Sequence, residues 1–509
     1  MCGFQIQWFQ NKFKLKLVII PKIKERTFQQ FRKFGLRFLM RSDQIMYQLL
    51  MSRVDNFHKF HNLRNQYKRF VYESFDYRIT SDFLDISFNF NLDNKYFFRP
   101  SLNIPLKSFI IIDKLTSEKL RNLIFHIGMV ELISYWKAAC PREIVIKPYS
   151  LTEYQKDWWK HLYYNGLGEF FYLNSIQTSF DSFVNINSKS EDQLLPFKLL
   201  MEDSVIIPVG GGKDSAVTIE LLSERNSKNL LLIMNPRKAS TDTASVAGFG
   251  DDNTIVVNRT IDPLLLKLND EGYLNGHTPF SALLAFVSIL CSAITGRRHI
   301  ALSNESSANE STVEGTSVNH QYSKSFEFEK DFREYYSKYI SRDFNYFSIL
   351  RPLSELQIAK LFSENEKYFL VFKSCNVGSK DNKWCCHCSK CLFTYIILSP
   401  FISKEKILTI YGKDLLNDKS ILHEFNQLIG IAETKPFECV GTVDEVNASL
   451  HEIINREKGR LPELLEYYKS TNNFLINKYL DFSTLLAEFN KDHFLEEKFE
   501  NILLHRIND

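Results

Sequence analysis

The sequence predicts an α/β fold in which a parallel sheet carries helices on both faces, preceded by a smaller N-terminal α+β domain. Apolar runs at residues 204–209, 230–235, 254–258 and 299–303 alternate with helix-like stretches, an order typical of parallel sheets covered on both sides. Three glycines between the first strand and its following helix predict a tight loop at a strand end. A long apolar helix is predicted from Thr278 to Thr295, with proline at a tolerated early position.

The chain has 509 residues, which is enough for two or three domains with substantial cores. We expect a basic extension (residues 1–60), an α+β domain (61–194), the parallel-sheet domain with a cysteine cluster (195–437), and a helical closing segment (438–509).

The α+β domain shows mixed patterns. Ser108–Asp113 is predicted to be a strand, and Ser117–Tyr135 has helical spacing after a start at Thr116. Three tryptophans between residues 136 and 159 suit either a packed core or a stacking surface for a ligand. We favour the core, because aromatic stripes more often pack inside a protein.

Charge and composition exclude several classes of function. The 63 basic and 60 acidic residues give a net charge of +3, which indicates neither a general nucleic-acid surface nor a membrane surface. No apolar run approaches the roughly 20 residues of a membrane span, and the basic N-terminus lacks a cleavage pattern. We therefore expect a cytoplasmic protein without nucleic-acid or membrane partners.

The first 60 residues are strongly basic up to Arg41 and have no clear period. We interpret them as an upstream extension from an over-long reading of the gene, because Met40, Met46 and Met51 are alternative starts. A basic arm that binds nucleic acid or an acidic partner is the alternative.

The glycine loop, Val209-Gly-Gly-Gly-Lys-Asp-Ser215, is predicted to bind a phosphate. Glycine lets the backbone approach a ligand closely, and the free N–H groups at the start of the next helix favour an anion. The spacing matches neither the Gly-x4-Gly-Lys-Ser/Thr loop nor the Gly-x-Gly-x-x-Gly fingerprint. An ordinary glycine turn is the alternative.

The loop resembles the Ser-Gly-Gly-x-Asp-Ser loop of the PP-loop ATP pyrophosphatase family, with Gly210 in place of the first serine. The resemblance implies an adenine nucleotide alpha hydrolase-like sheet and a loop that holds the β,γ-pyrophosphate of ATP while a substrate oxygen attacks the α-phosphate. Lys213 would neutralise the pyrophosphate and Asp214 would help to place Mg²⁺. The implied ATP-binding residues are Gly210, Gly211, Gly212, Lys213, Asp214, Ser215 and Asn304.

Polar side chains follow the other predicted strands. Ligands of parallel sheets bind beyond the carboxyl ends of the strands. Residues 318–329, rich in His, Lys, Tyr and Glu, suit a substrate-binding loop, with a solvated helix face as the alternative. The pairs expected to converge with the glycine loop on one cleft are Asn235 with Arg237, Asn258 with Arg259, and Asn304 with Glu305.

Five of the nine cysteines lie between Cys375 and Cys391. Cys375-x9-Cys385-x2-Cys388-x2-Cys391 predicts a closed tetrahedral zinc site in a reducing compartment. Redox-active thiols and free packing cysteines are the alternatives. A similar cluster occurs in the PP-loop enzyme that makes 7-cyano-7-deazaguanine; because Cys386 and His387 stand beside these cysteines here, the ligand set could shift by one residue.

Further passages carry a narrower resemblance. They are Ile127–Cys140, Trp158–Tyr172, the glycine loop, Asn275–Ser281, Leu302–Asn309, Asn319–Ser325, the cysteine cluster and Lys435–Thr442. Together they resemble the MurL family of peptidoglycan precursor epimerases over residues 100–445.

The resemblance implies an isomerase that inverts the terminal L-Glu of UDP-MurNAc-L-Ala-L-Glu to D-Glu, with ATP converted to AMP and diphosphate. The implied cofactors are ATP and Mg²⁺, and the implied partners are the UDP-MurNAc-dipeptide and, functionally, a ligase that adds L-Glu. Adenylation makes chemical sense, because a carbon beside an ionised carboxylate resists deprotonation and a general base supplies only about 100- to 10,000-fold. An adenylated carboxyl can accept the developing charge as an enolate.

Several residues are candidates for the acid and base. Cysteine pairs serve some cofactor-free racemases, so Cys140 with Cys439 is one candidate pair. A core or scaffold role is the alternative for each residue. The candidate catalytic residues are Asp214, Glu305, His277, His320, Lys324 and Cys439.

Two other functions remain open from the sequence. A PP-loop enzyme that modifies a nucleobase or tRNA, similar to 7-cyano-7-deazaguanine synthase, would need an RNA surface, and the balanced charge gives no footprint for one. A nucleotide-binding module without chemistry is suggested by Gly210, but the Lys-Asp-Ser sequence and the cysteine cluster disfavour it.

Overall fold

The computed structural model describes residues 54–223, 228–313, 315–316, 318–477 and 480–508. The interpretation of residues 1–53, including the alternative starts, lies outside the described residues. The compact unit considered below begins at Asp55.

Within the described residues, eleven strands form one sheet. They are β1 Arg69–Ile79, β2 Phe83–Leu92, β3 Tyr96–Phe98, β4 Ser101–Pro105, β5 Glu143–Ile146, β6 Asn185–Ser188, β7 Glu202–Pro208, β8 Leu230–Met234, β9 Thr254–Thr260, β10 Arg297–Leu302 and β11 Asn345–Ser348.

The described α-helices flank and extend this sheet. In the first half they are α1 Phe57–Gln66, α2 Ser117–Glu131, α3 Ile133–Trp136, α4 Glu153–Gly166, α5 Gly168–Leu173, α6 Phe180–Phe183, α7 Lys213–Ser223, α8 Lys238–Val246 and α9 Pro263–Asp270. In the second half they are α10 Phe280–Thr295, α11 Phe326–Tyr339, α12 Glu355–Ser363, α13 Ser389–Leu398, α14 Lys404–Tyr411, α15 Leu422–Leu428, α16 Val443–Arg456, α17 Glu463–Lys469, α18 Asn472–Ile476, α19 Phe482–Ala487 and α20 Glu497–Asn508.

The predicted parallel sheet is confirmed in β7 to β11, which lie in the order β11-β10-β7-β8-β9 with every pairing parallel. The chain adds β8 and β9 on one side of β7 and then crosses to add β10 and β11 on the other. The direction of winding therefore reverses between β7 and β10. Ligands of such sheets bind beyond the strand ends at this reversal.

Both faces of this sheet are buried, as the sequence predicts. Alternate residues of a strand point to opposite faces, and Ile206 of β7 packs in one core with α2, α4 and α10. Its neighbours Val205 and Ile207 pack in a second core with α7, α12 and α13. The predicted long apolar helix is α10, which ends at Gly296 with a left-handed φ of 71°.

The N-terminal strands continue the same sheet. β4 pairs antiparallel with β9, and the order runs on through β2, β1, β5 and β6. The predicted helix after Thr116 is confirmed, because the Thr116 side chain accepts a hydrogen bond from the Lys119 N–H group. The three tryptophans of this region are buried, as predicted. The domain boundaries near residues 194 and 437 stay predictions.

The predicted strand at Ser108–Asp113 is wrong. This segment forms a turn followed by the short 3₁₀ helix Ile112–Lys114. The Ile111 N–H group donates to the carbonyl of Ile294 at 2.7 Å, and the Ile112 side chain is buried. The apolar run packs against the end of α10 instead of joining the sheet, a choice that only tertiary packing decides.

The closing segment is helical, as predicted, and its first helix is firmly capped. Thr442 and Glu445 form a reciprocal capping box at the start of α16. In the part of the chain that the structure describes, no helix combines the length and apolar character that a membrane crossing needs.

Candidate active site

The glycine loop joins β7 to α7, as the sequence predicts, and the structure places this loop at the reversal of the sheet. Gly211 has a φ of +87°, and a Cβ there would lie 2.5 Å from the carbonyl carbon of Ala239, so only glycine fits. Gly210 has an ordinary φ and open space around it, so a serine would fit there. The Gly211 N–H group donates to the Ser215 hydroxyl at 3.2 Å, which in turn donates to the Gly212 carbonyl at 3.0 Å.

Lys213 lies buried under this loop between two carboxylates. Its ammonium group contacts the carboxylates of Asp214 and Glu355. Glu355 stands in the first turn of α12, where Ser354 caps the helix, and Glu445 of α16 accepts the Glu355 N–H group at 2.6 Å. The other Glu355 oxygen, Oε1, is buried without a hydrogen-bond partner.

The charges of Lys213, Asp214 and Glu355 strongly affect one another. Burial alone would raise the pKa of Asp214, but the charges of Lys213, Lys390 and Lys324 hold it below its ordinary value. Burial raises the pKa of Glu355 to about 8, and the charge of Asp214 adds to this rise while Lys213 opposes it. The loop therefore has a buried cation with one carboxylate that favours ionisation and one that takes up a proton easily.

The end of β10 contributes Asn304 and Glu305 to the same edge of the sheet. Glu305 is buried, and Asn304 donates to the Ser348 hydroxyl at 3.1 Å. The fully buried Arg351 donates to the backbone carbonyls of both Glu305 (2.8 Å) and Lys324 (2.5 Å). Arg351 thereby ties the strand end to the segment that carries Lys324.

Lys324 and Cys439, 115 residues apart in the chain, are in direct contact, with 3.0 Å between Nζ and Sγ. Burial alone would raise the pKa of Cys439, but the Lys324 charge and a hydrogen bond from His320 lower it to about 6. Burial would likewise lower the pKa of Lys324, yet the Cys439 and Glu305 charges raise it. The pair is therefore a thiolate and an ammonium group at neutral pH.

His320 links the thiolate to a carboxylate. The Glu169 carboxylate contacts His320 Nδ1, and its Oε2 lies 3.4 Å from His277 Nδ1. Burial would lower the pKa of His320, but hydrogen bonds to Cys439 and Glu169 raise it to about 9. Burial and the charge of His320 lower the pKa of His277 to about 4. His320 is thus the charged histidine and His277 the neutral one.

The ligand atoms of Glu169, His277 and His320 lie within 4.8 Å of one another, a spacing that also suits a metal ion. A cation would, however, face the ammonium groups of Lys324 and Lys137, whose charges already act on His277. We therefore interpret the three residues as a hydrogen-bonded chain that ends at Cys439.

The loops that carry His320 and Cys439 are held together by backbone contacts. The Lys435 N–H group donates to the Thr312 carbonyl at 3.1 Å, and the His320 N–H group donates to the Thr312 hydroxyl at 3.0 Å. Lys390 donates to the Cys439 carbonyl. These contacts fix the thiolate beside the glycine loop, where Lys324 and Lys390 act on the charge of Asp214.

The four predicted metal-binding cysteines meet in one cluster. The Sγ atoms of Cys375, Cys385, Cys388 and Cys391 lie within 4.8 Å of one another, and Cys391 Sγ is 3.7 Å from Cys385 Sγ and 3.5 Å from Cys388 Sγ. A tetrahedral zinc ion with bonds of about 2.3 Å would place its sulfur ligands about 3.8 Å apart. The Gly378 N–H group points at Cys375 Sγ at 3.0 Å, as suits a thiolate acceptor. The donor set and its spacing fit zinc.

Two neighbouring residues that could also bind a metal, Cys386 and His387, contact backbone carbonyls instead. Cys386 has a left-handed φ of 60°, and its thiol lies 3.4 Å from the Tyr411 carbonyl. The exposed His387 ring contacts the Cys385 carbonyl at 2.8 Å. The structure therefore favours the ligand set without a one-residue shift.

Other candidates make protein contacts away from the thiolate. Arg259 forms a bidentate ion pair with the buried Glu131 of α2, and Arg237 contacts the Ser379 hydroxyl. Cys140 is fully buried in the core, which raises its pKa, and its thiol lies 3.3 Å from the Lys137 carbonyl. These residues hold the scaffold together.

Three residues of the site were not predicted from the sequence: Glu169, Glu355 and Lys390. Glu169 lies inside a passage that carried the family resemblance, and Lys390 lies directly before the last cysteine of the cluster. Glu355 is 140 or more residues from the loop that it serves, so only its position after the helix-capping Ser354 was a usable signal. Proximity to a recognisable motif was the signal that could have found Glu169 and Lys390.

The fold and the site together define the class of protein, an α/β enzyme with a glycine loop at the reversal of its sheet and a cysteine–lysine–histidine group nearby. Profiles of the MurL N-terminal domain and the MurL C-terminal domain match residues 61–349 and 371–474. The chain therefore belongs to the MurL family.

Three relatives are named UDP-N-acetyl-alpha-D-muramoyl-L-alanyl-L-glutamate epimerase, which is an isomerase. The chain is 32% identical to the protein of Xanthomonas oryzae over 332 residues, 64% of this chain and 72% of the relative. It is 32% identical to that of a Micromonospora species over 337 residues (64% and 74%) and 33% identical to that of Salinispora tropica over 321 residues (62% and 69%). No solved structure matches the chain significantly.

Proposed function

We propose that this protein is an ATP-dependent epimerase that inverts the terminal L-Glu of UDP-MurNAc-L-Ala-L-Glu to D-Glu during peptidoglycan precursor synthesis. The observation that carries the proposal is the contact of Lys324 and His320 with Cys439 beside the glycine loop, in a chain similar to three proteins named as this epimerase. The substrate would come from a ligase that adds L-Glu, and we place the reaction in the cytoplasm.

ATP would bind at the reversal between β7 and β10, as in the PP-loop ATP pyrophosphatases that the loop resembles. The backbone N–H groups of the glycine loop and the start of α7 would hold the pyrophosphate. Lys213 would leave its carboxylate partners to neutralise the phosphates, and Asp214 would place Mg²⁺, a cation that prefers oxygen ligands. Asn304 and Glu305 at the end of β10 would line the same site.

Attack of the substrate α-carboxylate on the α-phosphate would give an acyl-adenylate and diphosphate. The adenylated carbonyl withdraws electrons, so the adjacent hydrogen becomes removable by a positioned base. The groups available for this proton transfer are Cys439, Lys324 and His320, with His277 and Glu169 behind them. Their alternation of charge lets a proton move between them without leaving a buried charge unpaired.

The cysteine cluster is proposed to hold a structural zinc ion. Four thiolates leave no open position for a substrate, which is typical of structural sites. Such ions contribute about 10–16 kcal/mol in small peptides, a contribution comparable to the stability of a whole domain at about 5–15 kcal/mol. Zinc would fix the start of α13 and with it Lys390.

The test is an isotope experiment with purified protein, ATP, Mg²⁺ and UDP-MurNAc-L-Ala-L-Glu in D₂O. We expect AMP, diphosphate and a product deuterated at the glutamate α-carbon. The variant Asp214→Asn should abolish AMP formation, whereas Asp242→Asn, which removes an exposed ion pair with Lys238, should not. AMP without deuterated product would contradict the epimerase proposal.

A further inference from the structure

Cys439 has the surroundings of a nucleophile. Its sulfur lies 3.0 Å from the Lys324 ammonium group, and the nearby His320 imidazole helps to lower the pKa of the thiol. The residue as a whole is only partly buried. An activated nucleophile is recognised by a base within hydrogen-bond reach that a third group orients.

The third group is Glu169. Its carboxylate contacts His320 Nδ1, which leaves the other ring nitrogen to face the sulfur. The order Cys439, His320, Glu169 is that of a nucleophile, a base and an orienting carboxylate.

The thiolate also lies where an activated acyl group would be made. Lys324 and Lys390 act on both Cys439 and Asp214 of the glycine loop. Gly441, two residues after Cys439, packs against Glu355, where a Cβ would lie 3.1 Å from the Glu355 Cγ, and Glu355 contacts Lys213 of the loop. A carboxyl group adenylated at the loop would therefore lie near the sulfur. Reaction between groups held in this way is favoured by proximity.

We propose that Cys439 attacks the adenylated carboxyl group and forms a thioester between the enzyme and the substrate before the configuration is inverted. This inference rests on the proposed function. The S–C bond forms, the C–O bond to the phosphate breaks, and AMP leaves with the electron pair. Water later cleaves the thioester, so the overall consumption is still one ATP and one water, with AMP and diphosphate as products.

Thioester formation would also produce the base. The Cys439 thiolate is in direct contact with Lys324 and holds its pKa up more than Glu305 and Asp214 do, and once the sulfur is acylated that largest contribution is lost. Burial then disfavours the ammonium form, and Lys324 gives its proton to the departing AMP. The neutral amine removes the α-hydrogen, and protonated His320 returns a proton to the carbanion.

Hydrolysis restores the starting charges. Neutral His320 takes a proton from the attacking water, the thiolate leaves towards protonated Lys324, and the product carboxylic acid loses its proton to solvent. His277, which is neutral beside Glu169, can pass protons between His320 and solvent. Every proton taken up in one step is released in another.

The experiment uses the full chain with substrate labelled with ¹⁴C in glutamate, ATP and Mg²⁺, quenched with acid during a single turnover. We expect protein-bound label that rises before D-Glu product appears, is released by neutral hydroxylamine as the hydroxamate, and maps to the peptide with Cys439. Cys439→Ser should trap a slowly hydrolysed ester, and Cys439→Ala should keep ATP–diphosphate exchange but lose deuterium incorporation. Cys140→Ala, which removes a thiol in the core, should keep the bound label.

Two outcomes separate the covalent step from the proposed function. If the wild type forms deuterated product but neither the wild type nor Cys439→Ser carries bound label, the thioester step is wrong and the epimerase proposal stands. Failure of the wild type to form AMP with this substrate would overturn the proposed function itself.

Discussion

Lys390, which directly precedes the last cysteine of the metal-type cluster, donates its ammonium group to the backbone carbonyl of Cys439. Its own N–H group donates to the Glu438 carboxylate at 2.5 Å. One residue therefore connects the cysteine cluster to the loop that positions the thiolate. The cysteine cluster therefore helps to hold the Cys439 loop in place through Lys390.

Loss of the metal should accordingly lower both the reactivity of the Cys439 thiolate and the stability of the fold. We expect one zinc ion per chain by elemental analysis. Cys388→Ser should lower zinc content, the melting temperature and the rate at which iodoacetamide alkylates Cys439, because Lys390 no longer lowers the pKa of that thiol. Cys386→Ser, whose thiol faces the Tyr411 carbonyl, should retain zinc. Full alkylation rates in a zinc-free variant would contradict the connection.

The thiolate–imidazolium pair predicts a bell-shaped pH profile. The pKa of Cys439 is lowered to about 6 and that of His320 is raised to about 9, and these values belong to the coupled pair. Below about pH 6 the thiolate is protonated, and above about pH 9 the imidazolium is lost. We expect kcat/KM to fall on both sides, by about tenfold per pH unit beyond each limb.

Glu169→Gln should narrow this profile. Because Glu169 raises the pKa of His320, its neutral replacement should move the upper limb to lower pH. Glu327→Gln removes a comparable carboxylate that faces the half-buried His161 and should move neither limb. An unchanged upper limb in Glu169→Gln would argue that His320 is not the group titrating there.

The buried pair of Lys213 and Glu355 predicts that a substitution of Glu355 slows ATP–diphosphate exchange, whereas a substitution elsewhere on the same helix does not. Glu355→Gln keeps the shape but removes a carboxylate from Lys213, so we expect a loss of about 1–3 kcal/mol in unfolding free energy and slower ATP–diphosphate exchange. Glu364→Gln, at the exposed end of the same helix, should change stability by less than about 0.5 kcal/mol. Equal exchange rates in both variants would place Glu355 outside the nucleotide site.

The parts of the site that the sequence predicted are those whose chemistry is local. Seven adjacent residues define the glycine loop, and 17 define the cysteine cluster, so spacing alone describes their geometry. Glu355 and Glu169 reach the site from distant segments, through packing that no local pattern encodes. The strand predicted at Ser108–Asp113 failed for the same reason, since the end of α10 competes for that apolar run.

The order of the N-terminal strands was equally hidden. β1 and β2 are rich in phenylalanine and polar residues and pair antiparallel, and they join the parallel strands through β4, which pairs with β2 and with β9. In contrast, β7 and β8 carry near-continuous apolar runs, because alternate residues of each strand pack in the two different cores. A strand buried on both faces is a continuous apolar run that is easy to recognise in a sequence. A strand buried on one face of a mixed sheet alternates apolar and polar residues and is harder to recognise.

The glycine loop itself provides a matched pair of substitutions. Gly210 has open surroundings, so Gly210→Ser should change stability by less than about 0.5 kcal/mol and, by restoring a hydroxyl donor, lower the KM for ATP. Gly211→Ala forces a side chain into a left-handed backbone 2.5 Å from Ala239, which should cost about 1–3 kcal/mol and abolish AMP formation. Thermal melts and ATP–diphosphate exchange measure both effects. If Gly211→Ala folds and still exchanges diphosphate at the normal rate, the phosphates bind elsewhere, because a loop distorted at that residue could not keep its N–H groups directed at them.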